Sequence, residues 1–193
     1  NNFVVHYFET GADAVAYLQS RIQHKRVAIG DSRTLLELNV HDALSQVNDY
    51  ITDIQRPLPG ESFRDTALRT MGRDVFLTSV NALAQTGEMV NIDGTGNRVA
   101  ASLFGSQEVF FVLGRNKITP YLASAIYRAR NVAAPLNSKK NKKSSLNPCA
   151  KLEEKCYDCS SPDRICNALT IYYKKMRNMQ TMEVIIINVD LGF

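Results

Sequence analysis

Three short apolar runs, each followed by a polar loop, constrain the fold of this chain more than any other feature. They cover residues 26–30 (RVAIG), 74–78 (DVFLT) and 108–113 (EVFFVL). Short runs that are apolar on both faces are typical of strands buried inside a parallel sheet. Helical patterns separate these runs, at residues 12–23, 62–71 and 119–131. The alternation predicts an α/β chain with a mostly parallel, doubly wound, Rossmann-like sheet.

Local signals refine the element boundaries. Ser32 is placed to cap a short helix that runs to Leu38, and Ser62 and Asp65 have the spacing of a capping box. Thr119 followed by proline predicts a cap and first turn for the helix that follows.

The remaining segments are assigned less directly. We expect a short helical piece at 81–85, a strand at 88–93, and either helix or strand at 98–104. Pro135 is expected to close the last helical unit, before a lysine-rich loop and the cysteine segment at 137–167. Two closing strands, 168–175 and 182–189, are expected to pair antiparallel with each other.

Composition limits the class of protein. A chain of 193 residues with a net charge of +4 is predicted to form a single domain over residues 1–193, with an ordinary core and no need of disulfides. No apolar run is long enough to span a bilayer, so no membrane partner is expected. The N-terminus, Asn1–Val4, lacks Met and signal-peptide features, so an upstream segment is expected. The lysines within residues 139–143 have no interleaved aromatics, which argues against nucleic acid as the main partner.

The loops after the three strands form the candidate ligand site. In an open α/β sheet, the carboxyl ends of parallel strands meet at one edge, where ligands bind. Glycines there allow close approach of a ligand, helix starts offer free N–H groups, and Arg33, Arg98, Arg115 and Lys117 could supply positive charge. The predicted ligand is a small anion, either a carboxylate or a phosphate, although Asp31 would repel it. The loop residues concerned are Gly30, Asp31, Ser32 and Thr34, then Thr78, Ser79 and Asn81, then Gly114, Arg115, Asn116 and Lys117.

Residues 88–98 carry two acid–base candidates, Glu88 and Asp93, within a stretch dense in polar and turn residues. A structural turn explains residues 91–98 equally well, and Val99 stands where a dinucleotide fingerprint needs glycine. The three histidines lie outside the strand-end loops, so a serine or cysteine triad has no support.

Four cysteines lie within eighteen residues, in the pattern C-x6-C-x2-C-x6-C. Such clustering favours a reducing, cytoplasmic compartment and ligation by thiolates. Four thiolates suit tetrahedral zinc or an iron–sulfur cluster, and the spacing does not choose between them. Idle reduced thiols and two disulfides remain the alternatives. The proposed ligands are Cys149, Cys156, Cys159 and Cys166.

Long stretches of the sequence resemble the bacterial LUD-domain (lactate utilisation) family. The resemblance is carried by TGEMVNIDGTGNRVAA at residues 86–101, by NPCAKLEEKCYDCSSPDRIC at 147–166 and by the closing VIIINVDLGF. It is closest to small members that carry the cysteine segment, and it runs over nearly the whole chain. The motif positions that it implies are Thr78, Ser79, Asn81, Thr86, Gly87, Glu88, Asn91, Asp93, Gly94, Asn97, Arg98 and the four cysteines.

The resemblance implies a sheet like that of the sugar-phosphate isomerase and CoA-transferase (NagB/RpiA) superfamily. It also implies a link to lactate oxidation alongside iron–sulfur protein partners. One departure is the first loop, where the family has G-G-S-x-T and this chain has Gly30-Asp31-Ser32-Arg33-Thr34.

Three hypotheses follow. The first is an accessory or redox protein of lactate or organic-acid metabolism, with an anion pocket at the strand ends and a metal or cluster at the cysteines. The second is an isomerase- or transferase-type enzyme acting on a sugar phosphate or acyl substrate, with Glu88 or Asp93 as base. The third is a structural subunit stabilised by zinc or disulfides. The sequence leaves open whether the chain is an enzyme and whether it forms a homo-oligomer.

Overall fold

The computed structural model describes residues 1–140, 146–152 and 155–193. The chain divides into two compact units. The first contains residues 1–79, 97–116 and 174–192, and the second contains residues 80–96, 117–173 and Phe193. No helix among the described residues is both long enough and apolar enough to cross a bilayer.

A six-stranded sheet, parallel throughout, forms the centre of the first unit. Its strands, in the spatial order β3-β2-β4-β7-β10-β1, are β1 (Val4–Phe8), β2 (Arg26–Ile29), β3 (Tyr50–Asp53), β4 (Val75–Thr78), β7 (Glu108–Gly114) and β10 (Thr181–Ile187). The predicted α/β class and parallel sheet are therefore confirmed. The sequence signals did not identify β1 or β3, whose burial patterns include exposed positions.

Five helices belong to the first unit: α1 (Gly11–Arg21), α2 (Arg33–Glu37), α3 (Val40–Ser45), α4 (Phe63–Thr70) and α5 (Asn97–Leu103). Helices α1 to α3 pack on one sheet face, where Leu18, Leu35 and Leu44 share a core with Ile29 and Phe110. Ser32 accepts the Leu35 N–H, and Ser62 and Asp65 form the expected capping box. The ambiguous stretch at 98–104 is helical.

The second unit has a four-stranded mixed sheet in the order β8-β5-β6-β9. Its strands are β5 (Ala82–Ala84), β6 (Met89–Asp93), β8 (Ile118–Thr119) and β9 (Ala168–Tyr172). The helical piece expected at 81–85 is thus wrong. Ala-Leu-Ala favours helix locally, but pairing with β6 and β8 decides otherwise.

Helix α6 (Leu122–Arg128) packs Ala125, Leu122 and Ile126 against this small sheet, in a core shared with Ala82, Ala84 and Val90. Its N-cap is Tyr121, so the cap predicted at Thr119 is wrong because Thr119 pairs in β8. The helix continues through a π-helical turn, Ala129–Ala133, into α7 (Ala134–Lys140).

Pro135 therefore does not close the helical unit, contrary to expectation. The wider π turn directly before α7 is the kind of local adjustment that accommodates a missing N–H. Of the lysine-rich loop, residues 141–145 lie outside the described residues. Helix α8 (Pro148–Leu152) begins the cysteine segment.

The expected antiparallel pairing of the last two strands is also wrong. β9 pairs antiparallel with β6 in the second unit, whereas β10 lies between β1 and β7, parallel to both. A short connection suggests a hairpin, but the apolar run of β10 requires neighbours on both sides.

Candidate functional site

The ends of β2, β4 and β7 lie side by side, as the loops after them predicted. β4 is hydrogen-bonded between the other two strands, and all three run parallel. The chain leaves β2 outward to β3 and then returns to β4, so the strand order reverses between β2 and β4. Such a switch point is where open α/β sheets usually bind ligands.

Chain packing explains Gly30. Its N–H donates to the Leu77 carbonyl oxygen over 2.9 Å, and an added Cβ would lie 2.8 Å from the ring of Phe76. The exposed Asp31 carboxylate accepts a 2.8 Å hydrogen bond from the Gln55 side chain. The loop is therefore fixed by its neighbours, and the Gln55 amide holds one carboxylate oxygen of Asp31.

Three hydroxyl residues are buried at the switch point. Thr34 and Thr78 are fully buried and Ser79 is 3% exposed. The Ser79 hydroxyl donates to the Thr34 hydroxyl over 3.4 Å, and Thr34 donates to the Leu191 carbonyl oxygen over a further 3.4 Å. Both contacts are long for O–H···O bonds.

The last residues of the first unit, 188–192, cover the end of β7; we call them the C-terminal tail. An added Cβ on Gly114 would lie 2.4 Å from the Val189 carbonyl oxygen and 2.6 Å from the Leu191 nitrogen. Asn116 accepts the Leu191 N–H over 3.1 Å, and Arg115 pairs with Asp190 at 3.0 Å. Gly114 thus admits the tail, and the charge of Arg115 is met by it.

The structure therefore brings together nine of the predicted ligand-binding residues in the first unit, and neighbouring groups of the chain contact several of them. The nine are Gly30, Asp31, Ser32, Thr34, Thr78, Ser79, Gly114, Arg115 and Asn116. An anion at this edge stays a prediction. The helix expected to begin at Thr119 does not start directly after Lys117: a 3-10 turn, Arg115–Lys117, leads into β8, and α6 begins only at Leu122. Lys117 and Asn81 belong to the second unit, where Lys117 is buried.

Asn81 and Asn91 fasten the β5–β6 hairpin. The Asn91 side chain accepts the Asn81 N–H over 3.0 Å, and the Asn81 side chain accepts the Ile92 N–H over 2.7 Å. Arg128 donates to the Asn81 carbonyl oxygen over 2.5 Å, and burial lowers the pKa of this guanidinium. The observed contacts of both asparagines are structural.

The two proposed catalytic carboxylates also have local partners. Asp93 is buried and accepts the N–H groups of Thr95 and Gly96 over 3.2 and 3.0 Å, which shapes the turn after β6. Glu88 accepts the Thr86 hydroxyl. Asn97 and Arg98 begin α5 in the first unit. The catalytic and ligand-binding roles of these residues stay predictions.

The turn after β6 also docks the cysteine segment. The Asn167 backbone N–H donates to the Asp93 carbonyl oxygen, and its side chain donates to that of Gly94, both over 2.9 Å. An added Cβ on Gly94 would lie 2.8 Å from the carbonyl oxygen of Ile165, the residue before Cys166. Gly94 is thus required for close approach of the cysteine segment.

All four cysteines are free thiols of intermediate exposure. Burial raises the pKa of Cys149, a hydrogen bond with Ser138 lowers it, and the charges of Cys159, Cys166 and Cys156 raise it again. The other three cysteines therefore lie close enough to Cys149 for their charges to affect its pKa. The Asp158 N–H donates to the Cys156 sulfur over 3.3 Å, and Asp158 has a left-handed φ of 46°.

Arg164 is the cation of this cluster. Its guanidinium donates to the Cys166 sulfur over 3.1 Å and to the Cys159 carbonyl oxygen over 2.8 Å. It also contacts the Asp158 carboxylate at 3.3 Å, which Arg130 approaches at 3.1 Å. The charge of Cys166 is the largest influence raising the pKa of Arg164. The sequence suggested Arg164 only as one of several nearby cations, and it gave no sign of Arg130.

Within residues 1–140, 146–152 and 155–193, no three Cys, His, Asp or Glu side chains are gathered closely enough to hold a metal ion. The four thiols lie in the same segment, but their sulfurs are not arranged as a complete set of metal ligands. Their donor chemistry nevertheless fits a soft metal, because four sulfurs, an amide-to-sulfur hydrogen bond and a compensating cation are present.

Sequence reasoning missed a hollow in the first unit, beside the ends of β2 and β3. Its lining includes Ser32, His41, Asp53 and Arg56. His41 was set aside because it lies outside the strand-end loops, yet α3 brings it back to them. No local signal could have shown this, because β3 itself was not predicted.

Comparisons with known proteins agree with the fold. A family model described as LUD domain matches residues 1–187. No curated protein matches the chain. The crystal structure of a DUF162 family protein from Deinococcus radiodurans is similar, with a TM-score of 0.51 and 14% sequence identity, over 96% of this chain and 88% of that chain. At that identity, the likeness concerns the fold alone.

Proposed function

Because this chain belongs to the LUD-domain family, we propose that it is an accessory protein of lactate or other organic-acid oxidation that carries a metal centre. Cys149, Cys156, Cys159 and Cys166 would hold a zinc ion or an iron–sulfur cluster. A small carboxylate or phosphate would bind at the strand ends of the first unit. Iron–sulfur proteins are the expected partners.

The observation that carries the proposal is the mutual influence of the four thiols around one cation. All four cysteines are free and partly buried, and burial together with the charges of the other three cysteines raises the pKa of Cys149, a cost that a bound divalent metal or cluster would remove. Arg164 already lies against Cys166 and the Cys159 carbonyl oxygen, which is the outer arrangement that orients metal ligands.

A bound iron–sulfur cluster would supply one-electron transfer, and a bound zinc would supply folding energy. The chain's own residues would set the surroundings. Arg164 and Lys155 lower the net charge, the Asp158 N–H donates to the Cys156 sulfur, and Asn131 holds the Cys156 N–H over 3.1 Å. The last two contacts fix the position of Cys156 within the second unit.

The test is purification under anaerobic conditions, followed by metal analysis and a visible spectrum. We expect about one zinc, or the iron and sulfide of one cluster, for each chain. Cys156→Ser and Cys159→Ser should lose that content, whereas Ser160→Ala, a change beside Cys159, should keep it. A colourless, metal-free protein with four titratable thiols would overturn the proposal.

The kind of metal separates a redox role from a structural one. A cluster that accepts an electron from dithionite supports the redox protein. Zinc whose removal by a chelator lowers the melting temperature without any visible absorption supports a structural site instead.

A further inference from the structure

The hollow beside β2 and β3 contains a histidine–aspartate pair that no proposed role uses. His41 Nδ1 lies 2.9 Å from Asp53 Oδ2. Asp53 is 7% exposed, and its other oxygen accepts the Gln55 N–H over 2.9 Å. A carboxylate can only accept, so Nδ1 must carry the proton in this bond. In the tautomer that carries its proton on Nδ1, Nε2 is a hydrogen-bond acceptor, and the bond to Asp53 fixes its orientation.

Nε2 of His41 has no hydrogen-bond partner among the described residues, and the His41 side chain is 21% exposed. The ring therefore reaches the hollow while its other nitrogen is held. An acceptor of this kind suits a ligand hydroxyl, because water and hydroxyl groups are its natural donors.

Arg56 supplies the complementary charge. One of its nitrogens donates to Asp42 over 2.6 Å, and this bond raises the pKa of the guanidinium. A guanidinium has five N–H donors, so donors remain for a second anion. Arg56 lines the same hollow as His41 and Asp53.

We propose that this hollow binds a small hydroxylated anion, with the ligand hydroxyl on His41 Nε2 and the anionic group on Arg56. Leu35 and Leu36 supply an apolar wall beside these polar groups, as binding sites for small molecules usually have. The inference rests on the proposed function only for the ligand being a small anion. A hydroxy acid and a hydroxylated phosphate share this chemistry.

Two pairs of probes, matched except for the hydroxyl, test the site by calorimetric or NMR titration of the intact chain. They are glycolate against acetate, and 2-hydroxyethyl phosphate against ethyl phosphate. In at least one pair the hydroxylated member should bind about tenfold more tightly, the effect of one added hydrogen bond. The pair that shows the preference identifies the anionic group. Equal binding within both pairs would overturn the proposal.

His41→Asn is the decisive variant, because the asparagine amide can still donate to Asp53 while Nε2 disappears. The hydroxyl preference should fall to about onefold in His41→Asn and stay unchanged in His24→Asn, a matched change at an exposed histidine. Arg56→Gln should weaken both members of the pair. If Arg115→Gln loses the preference for the hydroxylated probe and His41→Asn keeps it, the ligand binds beside the end of β7 and the C-terminal tail, and the assignment to the hollow is wrong.

Nitrogen-15 NMR provides a second readout, since the hydroxylated probe should shift Nε2 of His41 and leave His24 unmoved. Metal content separates this inference from the proposed function. His41→Asn should load metal like the unaltered chain, so failure of the hollow leaves the cysteine site standing, and failure of the cysteine site leaves the hollow standing.

Discussion

The strand-end edge of the first unit and the cysteine segment of the second contrast in how their polar groups are satisfied. At the edge, Arg115 pairs with Asp190, Ser32 caps a helix, and Gly114 is filled by the tail. In the cysteine segment, the four thiols are free, and Cys156 and Cys166 accept N–H groups of Asp158 and Arg164 at sulfur. Polar residues at an edge where ligands usually bind can thus be engaged by the chain itself, whereas the sulfurs of the cysteine segment are the groups on which the proposed metal site rests.

The two units also differ in how they are held. The first has a large core of branched and aromatic side chains on a six-stranded sheet. In the second unit, one core cluster is built mainly of alanines, with Ile92, Leu122 and Ile126 packed against it, while Met89 and Tyr172 are also fully buried. The helix and sheet of the second unit can therefore lie close together over small side chains, whereas the first sheet is covered by larger ones.

The largest expected effect is on the core of the first unit. Phe110→Ala removes a fully buried ring from the centre of β7, and should cost about 3–5 kcal/mol of unfolding free energy. The measurement is urea denaturation at equilibrium. Phe104→Ala, at a ring that is 78% exposed, should change stability by less than about 0.5 kcal/mol. Equal costs for the two variants would break the contrast in packing.

The next effect concerns the C-terminal tail. Gly114→Ala places a methyl group against the Val189 carbonyl oxygen and the Leu191 nitrogen, and should cost about 1–3 kcal/mol. Gly30→Ala meets the end of the Phe76 side chain instead, so it should cost less. A harmless Gly114→Ala, with the tail amides as protected from hydrogen exchange as before, would show that the tail does not need this close approach.

A smaller effect comes from Asp74, whose carboxylate accepts hydrogen bonds from the backbone and side chain of Arg26. These bonds lower its pKa from 3.8 to about 2. The folded pKa lies below the ordinary one, so the stabilisation is complete above about pH 4 and disappears as pH falls through 2. Asp74→Asn should cost about 1 kcal/mol at pH 7, discounted for partial exposure, and almost nothing at pH 2.

Urea denaturation at several pH values measures this dependence. Asp49→Asn, at an exposed aspartate, serves as the control and should show no such pH-dependent difference. An Asp74→Asn penalty that persists undiminished at pH 2 would contradict the assignment of the stabilisation to the charged carboxylate.

The smallest effect on global stability is expected in the second unit. Gly94→Ala brings a methyl group against the Ile165 carbonyl oxygen and should loosen the cysteine segment locally. The rate at which Cys166 reacts with a thiol reagent should rise several-fold in the metal-free protein, while the urea midpoint of the first unit stays unchanged. Thr95→Ala, at the neighbouring exposed residue, is the matched control. Unchanged thiol reactivity would mean that Gly94 does not control the docking.

Some of the fold could be predicted because its signals are local. The apolar runs of β4 and β7 predicted buried parallel strands, and Ser62 with Asp65 predicted a capping box. The prediction failed where pairing partners decide: residues 82–84 are intrinsically helical but pair as a strand, and β10 enters the main sheet rather than forming a hairpin. The adjacency of the strand ends was predicted, because parallel strands share an edge. The sequence did not predict that the C-terminal tail covers these strand ends, because that contact depends on how residues 188–192 fold back.

By itself, the sequence determined the α/β class, the parallel central sheet, the clustering of the cysteines and the family resemblance. Periodicity and spacing are local properties of the sequence, so they can be interpreted without knowing which segments pack together. Only the tertiary structure decided that residues 188–192 cover Gly114 and that Gly94 allows close approach of the cysteine segment. It also decided that His41 contacts Asp53, the last residue of a strand that the sequence did not predict. Each of these contacts joins residues from different elements, and the side chains and amides that satisfy a polar group become known only when the chain is packed.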